Sequence, residues 1–161
     1  MSKSLQKITP FLWFDDQAEE ATRFYTSLFP NSRIETVTYY GEAGPGPKGS
    51  VMTVAFELDG QKFAALNGGP AFKFTEAVSF VVNCETQQEV DEMWEKLSAG
   101  GQVIDCGWLK DKYGLAWQIV PTVLFEMIAD PDAERKERVM RAMFQMKKLD
   151  SAALEAAYRE L

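Results

Sequence analysis

The chain repeats one pattern of predicted elements at an offset of roughly 70 residues, a period that indicates a duplicated unit. Each copy starts with a strand-like segment rich in aromatic and β-branched residues, at 7–14 (KITPFLWF) and 77–83 (AVSFVVN). A helix is predicted next, because apolar residues recur at positions i, i+3, i+4 and i+7. These residues are Ala21, Phe24, Tyr25 and Leu28 in the first copy and Val90, Met93, Trp94 and Leu97 in the second.

Further strands follow each helix. They are predicted at 33–40, 51–58 and 61–67 in the first half, and at 102–109 and 113–120 in the second. Each half therefore consists of a strand, a helix and two or three more strands. The sequence predicts an α+β fold made of two similar halves.

The helix ends have sequence signals of their own. Asp16 with Glu19, and Thr86 with Glu89, have the spacing of a capping box, which predicts that Asp16 and Thr86 begin the two helices. Gly100-Gly101 follows the second helix and predicts a left-handed termination.

The last part of the chain has no counterpart in the first half. Asp130-Pro131 predicts the start of a helix with proline in its first turn, and Asp150 predicts the cap of a final helix. We expect this extension to pack on the sheet or to contact a partner subunit.

Composition excludes several classes of function. The chain has 161 residues, no histidine and a formal net charge of −7. A catalytic triad that uses histidine is therefore impossible, and an acidic chain without a basic stripe is not expected to bind nucleic acid.

No apolar run is long enough to cross a bilayer, and the N-terminus lacks the hydrophobic region of a signal peptide. Because Cys84 and Cys106 lie outside any C-x-x-C motif, we expect buried thiols in a cytoplasmic protein.

The connector between the halves, ALNGGPAFKF (65–74), combines a turn with aromatic residues. Asn-Gly-Gly-Pro has to reverse the chain within a few residues, so at least one of Gly68 and Gly69 is expected at positive φ. A turn does not need Phe72 and Phe74. They are predicted either to line the mouth of a pocket or to hold the halves or two subunits together, since aromatic residues serve both purposes.

Strand alternation assigns a face to Gln118. In YGLAWQIV (113–120), Leu115, Trp117 and Ile119 share one face, which we expect to pack under helices. Gln118 then faces the other way, either as a buried amide bonded within the fold or as a group aimed into a cavity.

The loop GEAGPGPKGS (41–50) is not a phosphate-binding loop. Pro45 and Pro47 remove backbone N–H donors, and a strand rather than a helix follows Lys48. A mobile flap and a plain disordered loop are both compatible with its composition. No G-x-G-x-x-G motif follows a strand, so a dinucleotide or methyl-donor site of the Rossmann type has no support.

Three segments resemble the PhnB-like branch of the vicinal oxygen chelate (VOC) superfamily, which includes glyoxalase I, bleomycin-resistance proteins and extradiol dioxygenases. They are ITPFLWFDDQAEEATRFYTSLFPNSRI, the long stretch from GEAGPGPKGS to EKLSAGG with LNGGP-x-F-x-F at its centre, and CGWLKDKYGLAWQIVP. The branch often carries the label demethylubiquinone methyltransferase. The resemblance implies two βαβββ modules that form cupped mixed sheets, at 1–70 and 71–125, with a C-terminal helical extension at 126–161, and usually a homodimer.

The resemblance also implies where a metal would lie in related proteins. Those positions fall near Thr9 or Pro10 and at Asn67, Ser79 and Gln118, where the glyoxalase pattern has histidine or glutamate. Only Gln118 resembles a familiar ligand, and neutral oxygens do not replace imidazole and carboxylate donors. We therefore expect no metal and no cofactor.

These observations lead to one functional hypothesis and two alternatives. We expect a cytoplasmic homodimer that binds a small aromatic or amphiphilic molecule in the sheet cup, with no nucleic-acid or membrane partner. The expected ligand-binding residues are Trp13, Asn67, Phe72, Phe74, Ser79, Trp108 and Gln118. The first alternative is a metal-dependent enzyme of glyoxalase or dioxygenase type, and the weaker second one is a methyltransferase.

Overall fold

Two four-stranded mixed sheets, each with its own helix, form the framework of the computed structural model, which describes residues 5–160. The first module consists of β1 (Phe11–Phe14), α1 (Ala18–Leu28), β2 (Arg33–Tyr39), β3 (Val51–Leu58) and β4 (Gln61–Asn67), with the strand order β1-β4-β3-β2. The second consists of β5 (Ser79–Cys84), α2 (Gln87–Ser98), β6 (Gln102–Val103), β7 (Trp108–Lys110) and β8 (Ala116–Pro121), with the order β5-β8-β7-β6. The extension contains α3 (Val123–Ile128), α4 (Ala133–Met143) and α5 (Ser151–Arg159). The predicted α+β fold with two βαβββ modules and a helical extension is confirmed.

The chain divides into two compact units between Lys73 and Phe74. The sequence-based boundary after residue 70 lies close to this division. The extension (126–161) belongs to the second unit, because Val120 of β8 shares a buried cluster with Leu124, Val139 and Leu154 of the last three helices.

In the first unit, α1 packs against β3 and β4. Val54, Phe56 and Ala65 are fully buried on the face beneath this helix, and the rings of Phe56 and Phe63 stack with centroids 5.3 Å apart. Burying one such side chain stabilises the fold by about 1.5–3 kcal/mol. The apolar residues that alternate along β3 and β4 therefore decide which face of this sheet lies under the helix.

The second unit repeats this arrangement with α2, whose Val90 and Leu97 are fully buried. Leu109 and Ile119 are fully buried on the sheet, and Trp117 is 3% exposed. The predicted packed face of the last strand is confirmed by these values.

The predicted cap of the first helix is wrong, whereas that of the second is confirmed. Helix α1 starts one residue later than Asp16 would allow, and its N-cap residue, Gln17, makes no side-chain cap bond. Instead, the Ala18 N–H donates to Oδ1 of Asn67 at 2.8 Å, so the cap comes from a neighbouring strand. In α2, the Glu89 N–H donates to Oγ1 of Thr86 at 3.2 Å, and Gly100 has a φ of +74°.

Two other predicted elements differ from the structure. The single strand predicted at 102–109 is broken into β6 and β7, because Cys106 and Gly107 adopt φ values of +60° and +82° and turn the chain. The helix predicted at Asp130-Pro131 begins later, at Ala133, where the carboxylate of Asp132 accepts the N–H groups of Glu134 and Arg135. The cap at Asp150 is confirmed by its bond from the Ala153 N–H.

The described part of the chain, residues 5–160, contains no helix whose length and apolar content would suit it to span a bilayer.

The two glycines of the connector have different roles. Gly69 has a φ of +90°, which confirms that one of them adopts the left-handed region. Gly68 has no positive φ, but a Cβ there would overlap the indole ring of Trp13. The sequence therefore needs glycine twice here, once for backbone geometry and once for close packing.

Replacing Gly69 with valine should lower the free energy of unfolding by at least about 1 kcal/mol, because a β-branched residue is strained at this φ. No atom lies within 4 Å of the position where its Cβ would be, so the loss would come from the backbone alone. Gly41→Val is the matched control, since that site is equally open and has no positive φ. Urea denaturation measures both variants, and equal losses would refute the backbone explanation.

Asp111 generates a second prediction, because this carboxylate is only 2% exposed. It accepts the N–H groups of Tyr113 at 2.9 Å and Leu115 at 3.1 Å, and the indole N–H of Trp117 at 2.9 Å. Asp111→Ala leaves these donors without their acceptor and should lower the free energy of unfolding by about 2–4 kcal/mol. Asp105→Ala, at an exposed aspartate of the same unit, should change it by less than about 0.5 kcal/mol. Denaturation followed by tryptophan fluorescence compares the two, and similar losses would contradict this role of Asp111.

Candidate functional site

The candidate site is the open face of the second sheet, defined here by Ser79, Val81, Trp108 and Gln118. In the strand register Gln118 lies beside Val81 on β5 and beside Trp108 on β7, so these side chains share a face. Val81 is 44% exposed, and the other three are half-buried. The packed residues of β8, Trp117 and Ile119, point the opposite way. The predicted face of Gln118 is therefore confirmed.

Gln118 supplies the polar group of this face. Along β8 its neighbours on the same side, Ala116 and Val120, are buried, so the amide is the accessible part of this strand. The Nε2 group of Gln118 donates to Oγ of Ser79 at 2.9 Å. Among residues 5–160 the structure gives no partner to the Gln118 amide oxygen or to the indole N–H of Trp108. The face therefore offers an acceptor and donors next to an aromatic ring.

In the first unit the structure brings Trp13 and Phe72 together. Their rings meet edge to face with centroids 4.9 Å apart, and Phe72 is 66% exposed. The indole N–H of Trp13 donates to the carbonyl oxygen of Gly69 at 2.9 Å, which fixes the ring against the connector. Trp13 is thus held from one side by Gly68 and Gly69 and from another by Phe72.

Asn67 lies on the other face of the first sheet. It aligns with Phe14, which is buried beneath α1, whereas Trp13 points to the open side. Its amide oxygen caps α1 and its Nδ2 donates to the carbonyl oxygen of Val51 at 3.1 Å. The structure therefore separates the side chain of Asn67 from that of Trp13 and uses it to hold the fold. The hypothesis that Asn67 contacts a ligand stays a prediction.

The remaining expected residues fall into the second unit. Phe74 is half-buried at its start, and Ser79, Trp108 and Gln118 form the face described above. Val81 was missed by sequence reasoning, although it is the direct neighbour of Gln118. The missing information was the parallel register of β5 and β8, which no local pattern in the sequence reports.

The residues at the superfamily's metal positions do not fit a tightly bound divalent ion. Ser79 and Gln118 offer neutral oxygens. The side chain of Asn67 lies on the other face of its sheet, where it is hydrogen-bonded to α1 and β3. Within residues 5–160, no three or more Cys, Asp or Glu side chains are grouped so that they could hold a metal. Neutral donors alone bind transition metals weakly, so this set of side chains does not fit a catalytic metal.

Neither cysteine is an activated nucleophile. Burial raises the pKa of the Cys84 thiol to about 11, with a smaller contribution from the charge of Glu89. Burial and the nearby carboxylate of Asp105 also raise the pKa of Cys106. Because the thiolate is the reactive form, both side chains are in their unreactive state at neutral pH.

Comparison with known proteins supports a family assignment. The family model described as 3-demethylubiquinone-9 3-methyltransferase matches residues 6–120. The PhnB protein from Bacillus cereus, which carries the same description, is 42% identical, with a TM-score of 0.67 over 72% of this chain and 99% of that one. Comparison with curated protein sequences finds no match.

More distant solved structures share the fold. A protein from Pseudomonas aeruginosa is 22% identical, with a TM-score of 0.60 over 73% of this chain and 98% of that one. The fosfomycin resistance protein FosX from Listeria monocytogenes is 16% identical, with a TM-score of 0.57 over 81% of this chain and all of that one. At these identities the likeness concerns the fold alone.

The family model covers most of the chain, and the Bacillus cereus protein is similar over nearly its whole length. The chain therefore belongs to the 3-demethylubiquinone-9 3-methyltransferase family, the PhnB-like branch of the vicinal oxygen chelate superfamily.

Proposed function

We propose that this protein binds a small aromatic or amphiphilic molecule on the open face of its second sheet, without a metal. The observation that carries the proposal is the Gln118–Ser79 hydrogen bond beside Trp108, on the face that the helix α2 does not bury. A ligand that stacks on the indole ring can exchange hydrogen bonds with the amide and the hydroxyl at the same time.

The polar groups of this face are neutral, which argues for an uncharged polar group on the ligand. An amide and a hydroxyl each donate and accept, so they orient a phenol, a quinone or an amide equally well. Val81 adds exposed apolar surface on the adjacent strand. A ligand with an aromatic ring and one or two oxygen atoms matches this combination.

A metal-dependent enzyme is the second candidate function. One solved structure of FosX from Listeria monocytogenes is a complex with Mn(II) and sulfate, with a TM-score of 0.50 to this chain. The same fold therefore accommodates a metal in that protein. The neutral side chains at Asn67, Ser79 and Gln118 argue against such a site here.

A methyltransferase activity rests on the family description alone. The chain has no glycine-rich motif after a strand that would bind the methyl donor. We propose this activity only as the weakest alternative.

The proposal is tested with 1-naphthol, an aromatic probe with one hydroxyl group, by calorimetry and NMR titration. Gln118→Leu should weaken binding by about fivefold, because one neutral hydrogen bond contributes on the order of 1 kcal/mol. Gln88→Leu, an identical change on the exposed side of α2, should leave the affinity unchanged. Resonances of Val81 and Trp108 should shift during the titration.

If the wild-type protein and Gln118→Leu bind 1-naphthol with equal affinity, the ligand does not bind on this face. Metal analysis after incubation with Ni²⁺, Zn²⁺, Fe²⁺ or Mn²⁺ addresses the second candidate, and one tightly bound ion per chain would favour the enzyme. Micromolar binding of S-adenosylmethionine would favour the methyltransferase.

We also propose that the protein is a homodimer in the cytoplasm. In support, β1 and β5 are edge strands of their sheets, and Phe11 on β1 is 59% exposed. Edge strands with exposed apolar side chains are commonly covered by another chain. Light scattering should give twice the chain mass of 18.1 kDa, and a monomer at micromolar concentration would contradict the proposal.

A further inference from the structure

The open face of the second sheet is covered at both ends of β8. Near the end of this strand, Val120 is buried in an apolar cluster with Leu124 and Leu154 of the extension. Near its start, Ala116 is fully buried as well. Gln118, between them, is half-buried. A ligand that extends along β8 from Gln118 must therefore displace one of these two covers.

An ion pair lies at the Ala116 end of the face. In the strand register Ala116 lies between Ser79 on β5 and Lys110 on β7, so these three side chains share the open face. Lys110 forms an ion pair with Glu76, which lies in the segment that leads into β5. Because β8 separates β7 from β5, this pair, the Lys110–Glu76 bridge, passes over the start of β8.

The bridge is easier to open than the apolar cluster. Its side chains are 28% exposed at Lys110 and 48% exposed at Glu76. Partly exposed ion pairs contribute little to stability, because water solvates each partner when the pair is broken. The cluster around Val120 and Leu154 is sealed from the solvent, and displacing it would expose apolar surface. A ligand therefore extends toward Lys110 rather than toward the extension.

Opening the bridge leaves the lysine on the face and not the carboxylate. Lys110 belongs to β7, where its backbone is held opposite Ala116, whereas Glu76 lies in an exposed turn outside the strands. The hydrogen bond from Lys110 lowers the pKa of Glu76 below its ordinary value, so both groups are charged at neutral pH. While they are paired, the bridge adds no net charge to the neutral face. A freed Lys110 attracts an anion.

The spacing places this cation within reach of a ligand that Gln118 holds. Lys110 and Gln118 are diagonal neighbours on adjacent antiparallel strands, a separation of about 7–8 Å. Trp108 lies on the same face as Lys110, two positions earlier on β7. A fused aromatic ring system that stacks on this indole, with a hydroxyl at one end and a carboxylate at the other, spans a distance of this order.

From the bridge and its place on this face, we infer that the ligand is an aromatic carboxylate with one uncharged polar group. Gln118 and Ser79 orient the uncharged group, and Lys110 binds the carboxylate in exchange for Glu76. In the ligand-free protein Glu76 thus takes the place of the ligand's carboxylate. This inference rests on the function proposed above and names the chemical class of its ligand.

The test compares two probes of the same shape by calorimetry at about 0.15 M NaCl, where distant charges are screened. The probes are 6-hydroxy-2-naphthoate and its uncharged amide, 6-hydroxy-2-naphthamide, and the measured quantity is the affinity of the carboxylate divided by that of the amide. Lys110→Met should lower this ratio about three- to fivefold, the scale of one partly exposed ion pair. Glu76→Gln should raise it about threefold, because the competing carboxylate is gone.

The matched control is Lys96→Met, which removes the same charge from the exposed surface of α2 and should leave the ratio unchanged. Both test variants break the same ion pair, so a merely structural role of the bridge would not shift the ratio in opposite directions. The inference is overturned if the ratio stays constant in both variants or moves the same way in both. Thermal unfolding checks that the variants fold.

NMR titration follows the exchange directly. The amide resonance of Glu76 should shift with the carboxylate and not with the amide, and equal shifts with the two probes would contradict the exchange. Binding of 1-naphthol separates this inference from the proposed function. If 1-naphthol binds and Gln118→Leu weakens it while the ratio stays constant, only the inference fails. If none of the three probes binds, both fail.

Discussion

One helix per four-stranded sheet is the constraint on which this structure depends. A helix can bury only one face of a sheet, and in each unit that face carries the fully buried side chains, such as Val54 and Phe56 beneath α1. The opposite face keeps half-exposed residues, although in the second unit its Ala116 and Val120 are buried, Val120 among the helices of the extension. Trp13 in the first unit and Gln118 in the second occupy these faces. The duplication of a small module thus produces accessible sheet surface twice within 161 residues.

Asn67 shows how one polar residue connects several elements of the first unit. Its side chain connects the end of β4 to the first N–H of α1 and to the carbonyl oxygen of Val51, and its own carbonyl oxygen accepts the hydroxyl of Tyr40. One residue therefore links the start of α1, the start of β3 and Tyr40, where the loop of residues 41–50 begins. Buried polar groups need such partners, and a neutral amide supplies both a donor and an acceptor.

The two units present different chemistry. The accessible polar groups on the second sheet, at Ser79 and Gln118, are neutral and lie beside an indole ring. In the first unit, the charged side chains that line the depression at the carboxyl ends of β1 and β4, Asp15, Asp16 and Glu19, are all carboxylates. Membership in a family described as methyltransferases does not tell which of these surfaces is functional. Proteins of one fold have different functions, because the function depends on the residues at each site.

The order of the elements, the two modules and the packed face of β8 could be predicted from the sequence, because periodicity and alternation are local properties of the chain. The same holds for the cap at Thr86, for a left-handed glycine within each of the pairs Gly68-Gly69 and Gly100-Gly101, and for the face of Gln118. What the sequence could not report was which distant groups meet. Asn67 rather than Asp16 caps α1, Val81 lies next to Gln118, and Tyr40 anchors the loop of residues 41–50. These contacts join residues far apart in the chain, and only the register of the strands and the closure of the fold bring them together.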